Sequence, residues 1–145
     1  MVEIRLRTIH VGSARRVVTL GLDGKDLADE FLTSLIKSDP KGAQSIKTRV
    51  QTVAEHDSYE NELTFRSVGD GLFEFKRPGL RLYAFYDEIA GLKPQLIIAS
   101  NGGTKNNARE QTADIGRAKK LRERYLAAKN APGARIHLVT LDHEN

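Results

Sequence analysis

The sequence predicts an α+β protein: a small antiparallel or mixed sheet, with an N-terminal helical hairpin and a C-terminal helix packed on it. Three observations carry this. Residues 72–86 hold two alternating apolar–polar runs around Pro78-Gly79. Residues 26–37 and 40–56 repeat apolar side chains at helical spacing. Residues from about 108 or 112 to 129 combine a narrow apolar seam with many cations.

The hairpin organises the chain. Proline presets φ for the first central turn position and glycine accepts positive φ at the second, which suggests a type II turn or a longer loop built around it. With a two-residue turn, Arg77 pairs with Leu80, Lys76 with Arg81, Phe75 with Leu82, Glu74 with Tyr83 and Phe73 with Ala84. Side chains alternate between faces. One face then carries Phe73, Phe75, Leu82, Ala84 and Tyr86 and reads as core, while the other carries Glu74, Lys76, Arg81 and Tyr83. Lys76 opposite Arg81 is unfavourable unless an anion lies between them. This hints at phosphate; the other reading is an ordinary solvated face on which Glu74 neutralises the two cations.

Ahead of the hairpin, residues 2–9 alternate as a strand, and residues 15–20 form a second strand or its continuation after a bend. Asp26 is placed to cap the first helix, with Leu27, Phe31 and Leu35 beside Ala28, Leu32 and Ile36 on its apolar stripe. Pro40 opens the second helix, whose stripe is Ala43, Ile46, Val50, Val53 and Ala54. A loop follows at 56–61, then a short extended segment at 63–68. After the hairpin, residues 96–99 read as a short buried strand and residues 100–107 (SNGGTKNN) as a loop. The closing helix buries Ile115, Ala118, Leu121 or Arg122, Tyr125 and Leu126. Pro132-Gly133 ends it, and residues 136–141 offer an edge strand.

The 145 residues form one domain, with 39% apolar and 29% charged residues. No cysteine is present, which excludes disulfides and thiolate chemistry and favours an intracellular home. No signal-like or membrane-length apolar run occurs, so the expected location is the cytoplasm. The net charge of +4 is uneven: residues 1–64 carry −1 and residues 65–145 carry +5. The basic half, which contains the hairpin, suits a polyanion or an acidic protein.

The four histidines are scattered without metal-ligand spacing, so no metal is expected. Neither a nucleophile elbow nor a dinucleotide fingerprint occurs, and SNGGTKNN lacks the spacing of an ATP loop, so no cofactor is expected. Arg, Lys and Tyr around the sheet remain. Cations can hold a scissile phosphate and stabilise its developing charge. Metal-free RNA cleavage then needs only a base for the 2′-hydroxyl proton and an acid for the leaving oxygen, roles open to lysine or tyrosine.

Gly71-Leu72-Phe73-Glu74-Phe75-Lys76 resembles the "G-L-W-E-L-R" run of the RelE/HigB-like toxin superfamily, in its phage-derived HigB-like branch. Arg81-Leu82-Tyr83-Ala84-Phe85-Tyr86 resembles the "R-L-x-Y-F" strand. Lys105 with Ile115 and Ala118 resembles the "K-K-T-x-K-T-P…I…A" close. The likeness spans about residues 15–128, leaving an N-terminal strand and a C-terminal tail as additions. Asn106 replaces a lysine, Gln111 a proline, Phe73 a tryptophan and Lys76 an arginine.

The resemblance implies a RelE-like fold and the toxin of a type II toxin–antitoxin system. Such a protein is a metal-independent, ribosome-dependent mRNA endoribonuclease that inhibits translation. Its partners would be the ribosome, mRNA and a cognate antitoxin, expected to be a small helix-turn-helix protein; no membrane is involved. It places Arg81, Lys105 and Tyr83 in catalysis, Lys76, Arg77 and Arg109 on RNA, and Glu74 as an orienting group. The alternative is a non-catalytic binding protein on the same scaffold, either a ParE-like gyrase inhibitor or an inactive phage-derived relative; Asn106 favours it.

Overall fold

The computed structural model describes residues 2–56, 65–104 and 107–139. Seven strands form one mixed sheet: β1 (Glu3–Val11), β2 (Arg15–Leu22), β3 (Phe65–Gly69), β4 (Leu72–Arg77), β5 (Leu80–Asp87), β6 (Gln95–Thr104) and β7 (Arg135–Val139). Their spatial order is β3-β4-β5-β6-β2-β1-β7. Strand β2 runs parallel to β6 and β1 parallel to β7, while the other neighbours are antiparallel.

Three helices cover this sheet: α1 (Leu27–Ser38), α2 (Pro40–Ala54) and α3 (Ala108–Asn130). Asp26 caps α1 by accepting from the Asp29 amide, and Asp39 caps α2 by accepting from the Gly42 amide. Each cap satisfies an amide that the first helical turn leaves without a partner. Pro40 occupies the first position of α2, where its missing amide hydrogen costs nothing.

The core has two layers. On one face α1 and α2 pack Ala28, Leu35, Ile46 and Val50 against Phe75, Leu82, Ala84 and Ile97. On the other, α3 packs Ala118, Tyr125 and Ala128 against Leu6, Leu20, Phe85 and Ile98. Ile36, expected on the α1 stripe, is 62% exposed.

The sequence placed a helical hairpin at the N-terminus. The structure corrects this: the N-terminal element is the antiparallel strand pair β1–β2, and the helical hairpin follows it. The physical reason lies in β2, whose residues 17–22 are all buried between helices on both faces. Such a strand is a continuous apolar run and belongs inside the sheet rather than at its margin. Among the described residues, no helix is long and apolar enough to cross a membrane.

The second difference is β6. The turn-forming residues Ser100, Asn101, Gly102 and Gly103 continue the strand, pairing with β5 from Tyr83↔Asn101 to Leu80↔Thr104. Both glycines are needed for space. A Cβ at Gly102 would stand 2.2 Å from the Phe31 ring, and one at Gly103 would stand 2.2 Å from the Asp114 carboxylate.

Candidate functional site

The hairpin has the register expected from its turn: Arg77↔Leu80, Lys76↔Arg81, Phe75↔Leu82, Glu74↔Tyr83 and Phe73↔Ala84. Gly79 adopts φ of 77°, the left-handed conformation open to a residue without Cβ. Phe75, Leu82 and Ala84 face α1 and α2, and Tyr83 lies in the opposite layer with α3. The polar face of the hairpin is therefore covered. Helix α3 lies over it, and most of its charge is balanced within the protein.

Glu74 is fully buried. Its Oε2 accepts from Arg66 Nε at 2.7 Å, and its Oε1 accepts from Gln111 Nε2 at 3.3 Å. Arg81 Nε stands 3.4 Å from the same Oε1, an ion pair without hydrogen-bond geometry. Arg66 comes from β3, directly opposite Glu74 in the ladder, and Gln111 comes from the first turn of α3. One carboxylate thus joins β3, β5 and α3.

Arg81 is 5% exposed. Its Nη1 donates to the carbonyl oxygens of Arg77 at 2.8 Å and Leu80 at 2.7 Å. The guanidinium staples the two sides of the turn, and its remaining charge lies toward Glu74.

Tyr83 is 1% exposed, and its phenol is pushed up to about 12, first by burial and then by the charges of Glu74 and Asp114. It is therefore neutral and holds its proton around pH 7. Asp114 belongs to α3, whose carbonyl at that residue accepts from Asn101 Nδ2 at 3.0 Å.

The other expected residues are spread around this cluster. Lys76 and Arg77 are half-buried and leave β4 on opposite faces of the sheet. Arg109 is exposed in the first turn of α3, which Asn107 caps. Lys105 lies outside the described residues, as do Asn106 and the greater part of the expected 56–61 loop. The structure brings Glu74, Arg81 and Tyr83 together under α3 and leaves Arg77 and Arg109 nearer solvent.

Four contributors were missed in the sequence: Arg66, Asn101, Gln111 and Arg49. The Arg66 pairing was accessible in principle, because counting back across the Gly69-Asp70-Gly71 turn sets Arg66 opposite Glu74, with one irregularity in register. Arg49 Nε donates to Lys76 O at 2.6 Å from the facing helix α2, and nothing in the local pattern points to that contact.

On the outward side of α3, Arg117 pairs with Asp114 and Lys119 with Asp70, both at 2.7 Å. Arg109, Lys120 and Arg124 are exposed there. Among the described residues no group of three or more His, Asp or Glu side chains could hold a metal ion. Comparison of the chain with protein-family models, curated proteins and solved structures finds no match.

Proposed function

We propose that this chain is the toxin of a type II toxin–antitoxin system, with a RelE/HigB-like fold, that cuts mRNA on the ribosome and so inhibits translation. The observation that carries the reading is the order of elements. A strand (β2) leads into a helical hairpin, a meander (β4–β5–β6) returns parallel to that strand, and a basic helix closes the chain. That is the order the sequence resemblance implies; the hairpin end of the meander holds Lys76 and Arg77, and the first turn of α3 holds Arg109.

In this reading the 2′-oxygen of the substrate attacks phosphorus and the bond to the 5′-oxygen breaks. Cations hold the phosphate oxygens as charge develops on them. Lys105, in its neutral form, takes the proton that the 2′-hydroxyl loses as it attacks, and as the resulting cation it contacts the phosphate. Tyr83 keeps its proton at neutral pH and, being 1% exposed under α3, reaches the leaving oxygen only if α3 moves. Arg81 braces the hairpin from beneath and meets RNA only if α3 moves. The partners are the ribosome, mRNA and an antitoxin.

The second reading, a non-catalytic binding protein on the same scaffold, is favoured by one observation: Arg81 and Tyr83 are sealed under α3, with the Arg81 guanidinium engaged inside the protein. The two readings separate in bacteria expressing wild type beside Lys105→Ala, with mRNA ends mapped in both. The nuclease reading expects growth arrest and new ends inside translated frames, both lost in the variant. Intact mRNA in cells filled with folded wild-type protein overturns it.

A further inference from the structure

Arg49 reaches from α2 to the end of the hairpin, where its Nε donates to the carbonyl oxygen of Lys76 at 2.6 Å. That carbonyl shares a planar peptide unit with the Arg77 amide, so the Arg49 guanidinium and the Arg77 backbone are neighbours. Arg77 alternates with Phe73 and Phe75, which pack beneath α1 and α2. Its side chain therefore leaves the sheet on the face where α2 lies. Both arginines are half-buried.

Among the described residues, the hydrogen bond to Lys76 O is the one polar contact of the Arg49 side chain, and the side chain of Arg77 makes none. The nearby acid, Asp39, uses Oδ1 to cap α2 through the Gly42 amide. Glu74 lies on the opposite face with Arg66 and Arg81. Two neighbouring cations that no acid among the described residues pairs with repel each other unless an anion joins them. An arginine anchored through Nε has already lost much of its conformational freedom and keeps both Nη groups for a ligand. Planar, two-pronged donation of this kind matches the oxygens of a phosphate.

We propose that Arg49 and Arg77 form a phosphate-binding fork on the α2 side of the hairpin, which seats one phosphodiester of a single-stranded RNA. The fork rests on the RNA-directed reading above and deepens it. It adds a helix residue to the contact surface and places the strand across the hairpin end, away from the face that α3 covers.

The test is fluorescence anisotropy with a labelled single-stranded RNA over a series of salt concentrations. The proteins are wild type, Arg49→Met, Arg49→Lys, Arg77→Met and, as control, Lys47→Met on the exposed side of α2. Thermal melts establish that each is folded. Arg49→Met and Arg77→Met are expected to weaken binding about tenfold each and to lower the slope of log K against log salt by about 0.7. Arg49→Lys keeps the charge but not the fork, so affinity falls while the slope stays. Lys47→Met binds as wild type.

Equal affinity and slope in folded Arg49→Met and wild type overturn the fork, as does a wild type that binds no RNA. The fork and the nuclease fail separately. RNA held through Arg49 by a protein that cuts no mRNA in cells keeps the fork and ends the nuclease reading. Cutting by the Arg49→Met/Arg77→Met protein at the wild-type rate does the reverse.

Discussion

Replacing Glu74 by Gln keeps the size of the side chain and removes the charge on which Arg66 and Arg81 converge. The Arg81 side chain is 6% exposed and stands 3.4 Å from the carboxylate, so the change leaves its cation buried without a counter-charge. At an effective dielectric constant of 20, this single pair is worth about 5 kcal/mol of direct attraction. Arg66, with 30% of its side chain exposed, turns toward water and loses little. The glutamine oxygen still accepts a hydrogen bond, which recovers part of the attraction. The net cost is about 3 kcal/mol, in the range found when one member of a buried pair is removed. For a chain of this length that lowers Tm by about 6–12 °C, read by circular dichroism. Adding Arg81→Met to Glu74→Gln removes the stranded charge. The double variant is therefore expected to be more stable than the sum of the two single losses by about 2 kcal/mol. A Glu74→Gln melt within two or so degrees of wild type, or additive losses in the cycle, refutes the claim that one buried carboxylate ties β3, β5 and α3 together.

Two further outcomes follow from the packing and the phenols. Gly102→Ala drives a Cβ into the Phe31 ring and is expected to cost about 2 kcal/mol by overpacking, with much of the loss restored by a companion Phe31→Ala; denaturant unfolding of the single and double variants reads both. Tyr83 and Tyr125 are both shifted up, Tyr83 to about 12, each chiefly by burial. Below pH 10 the folded and unfolded states both hold these protons. Between pH 10 and about 12 the unfolded state alone releases the Tyr83 proton, so stability falls as pH rises through that window. The phenolate absorbance of the folded protein should gain the Tyr83 contribution only near pH 12, and a full four-tyrosine rise by pH 11 without unfolding contradicts the burial.

Much of the local structure was legible because it is governed by neighbours in sequence. Pro78-Gly79 dictates a turn, and a two-residue turn dictates all five pairs of β4 with β5. Asp26 and the Asp39-Pro40 step mark helix starts because a side-chain oxygen or a ring acts within one turn of chain. What lies over each face of the sheet was not legible. Alternation tells which side chains share a face and says nothing of what packs there. Glu74, Arg81 and Tyr83 thus read as an open polar surface. Their partner helix begins 34 residues beyond Glu74, and the glutamine that reaches it, Gln111, carried no local signal.

The same division applies to the whole protein. The sequence by itself determined the α+β class, the hairpin register, the helix positions and the charge imbalance, since each follows from steric and periodic rules acting over a few residues. Only the tertiary structure decided that β2 enters the middle of the sheet, that the glycines of SNGG make room for Phe31 and Asp114, that α3 covers the hairpin, and that Arg81 is braced inside while Arg49 of α2 reaches the Lys76 carbonyl at the hairpin end. Those outcomes depend on contacts between residues from 11 apart (Gly103 and Asp114) to 80 apart (Arg15 and Gln95), where burial and charge pairing, rather than local propensity, select the arrangement.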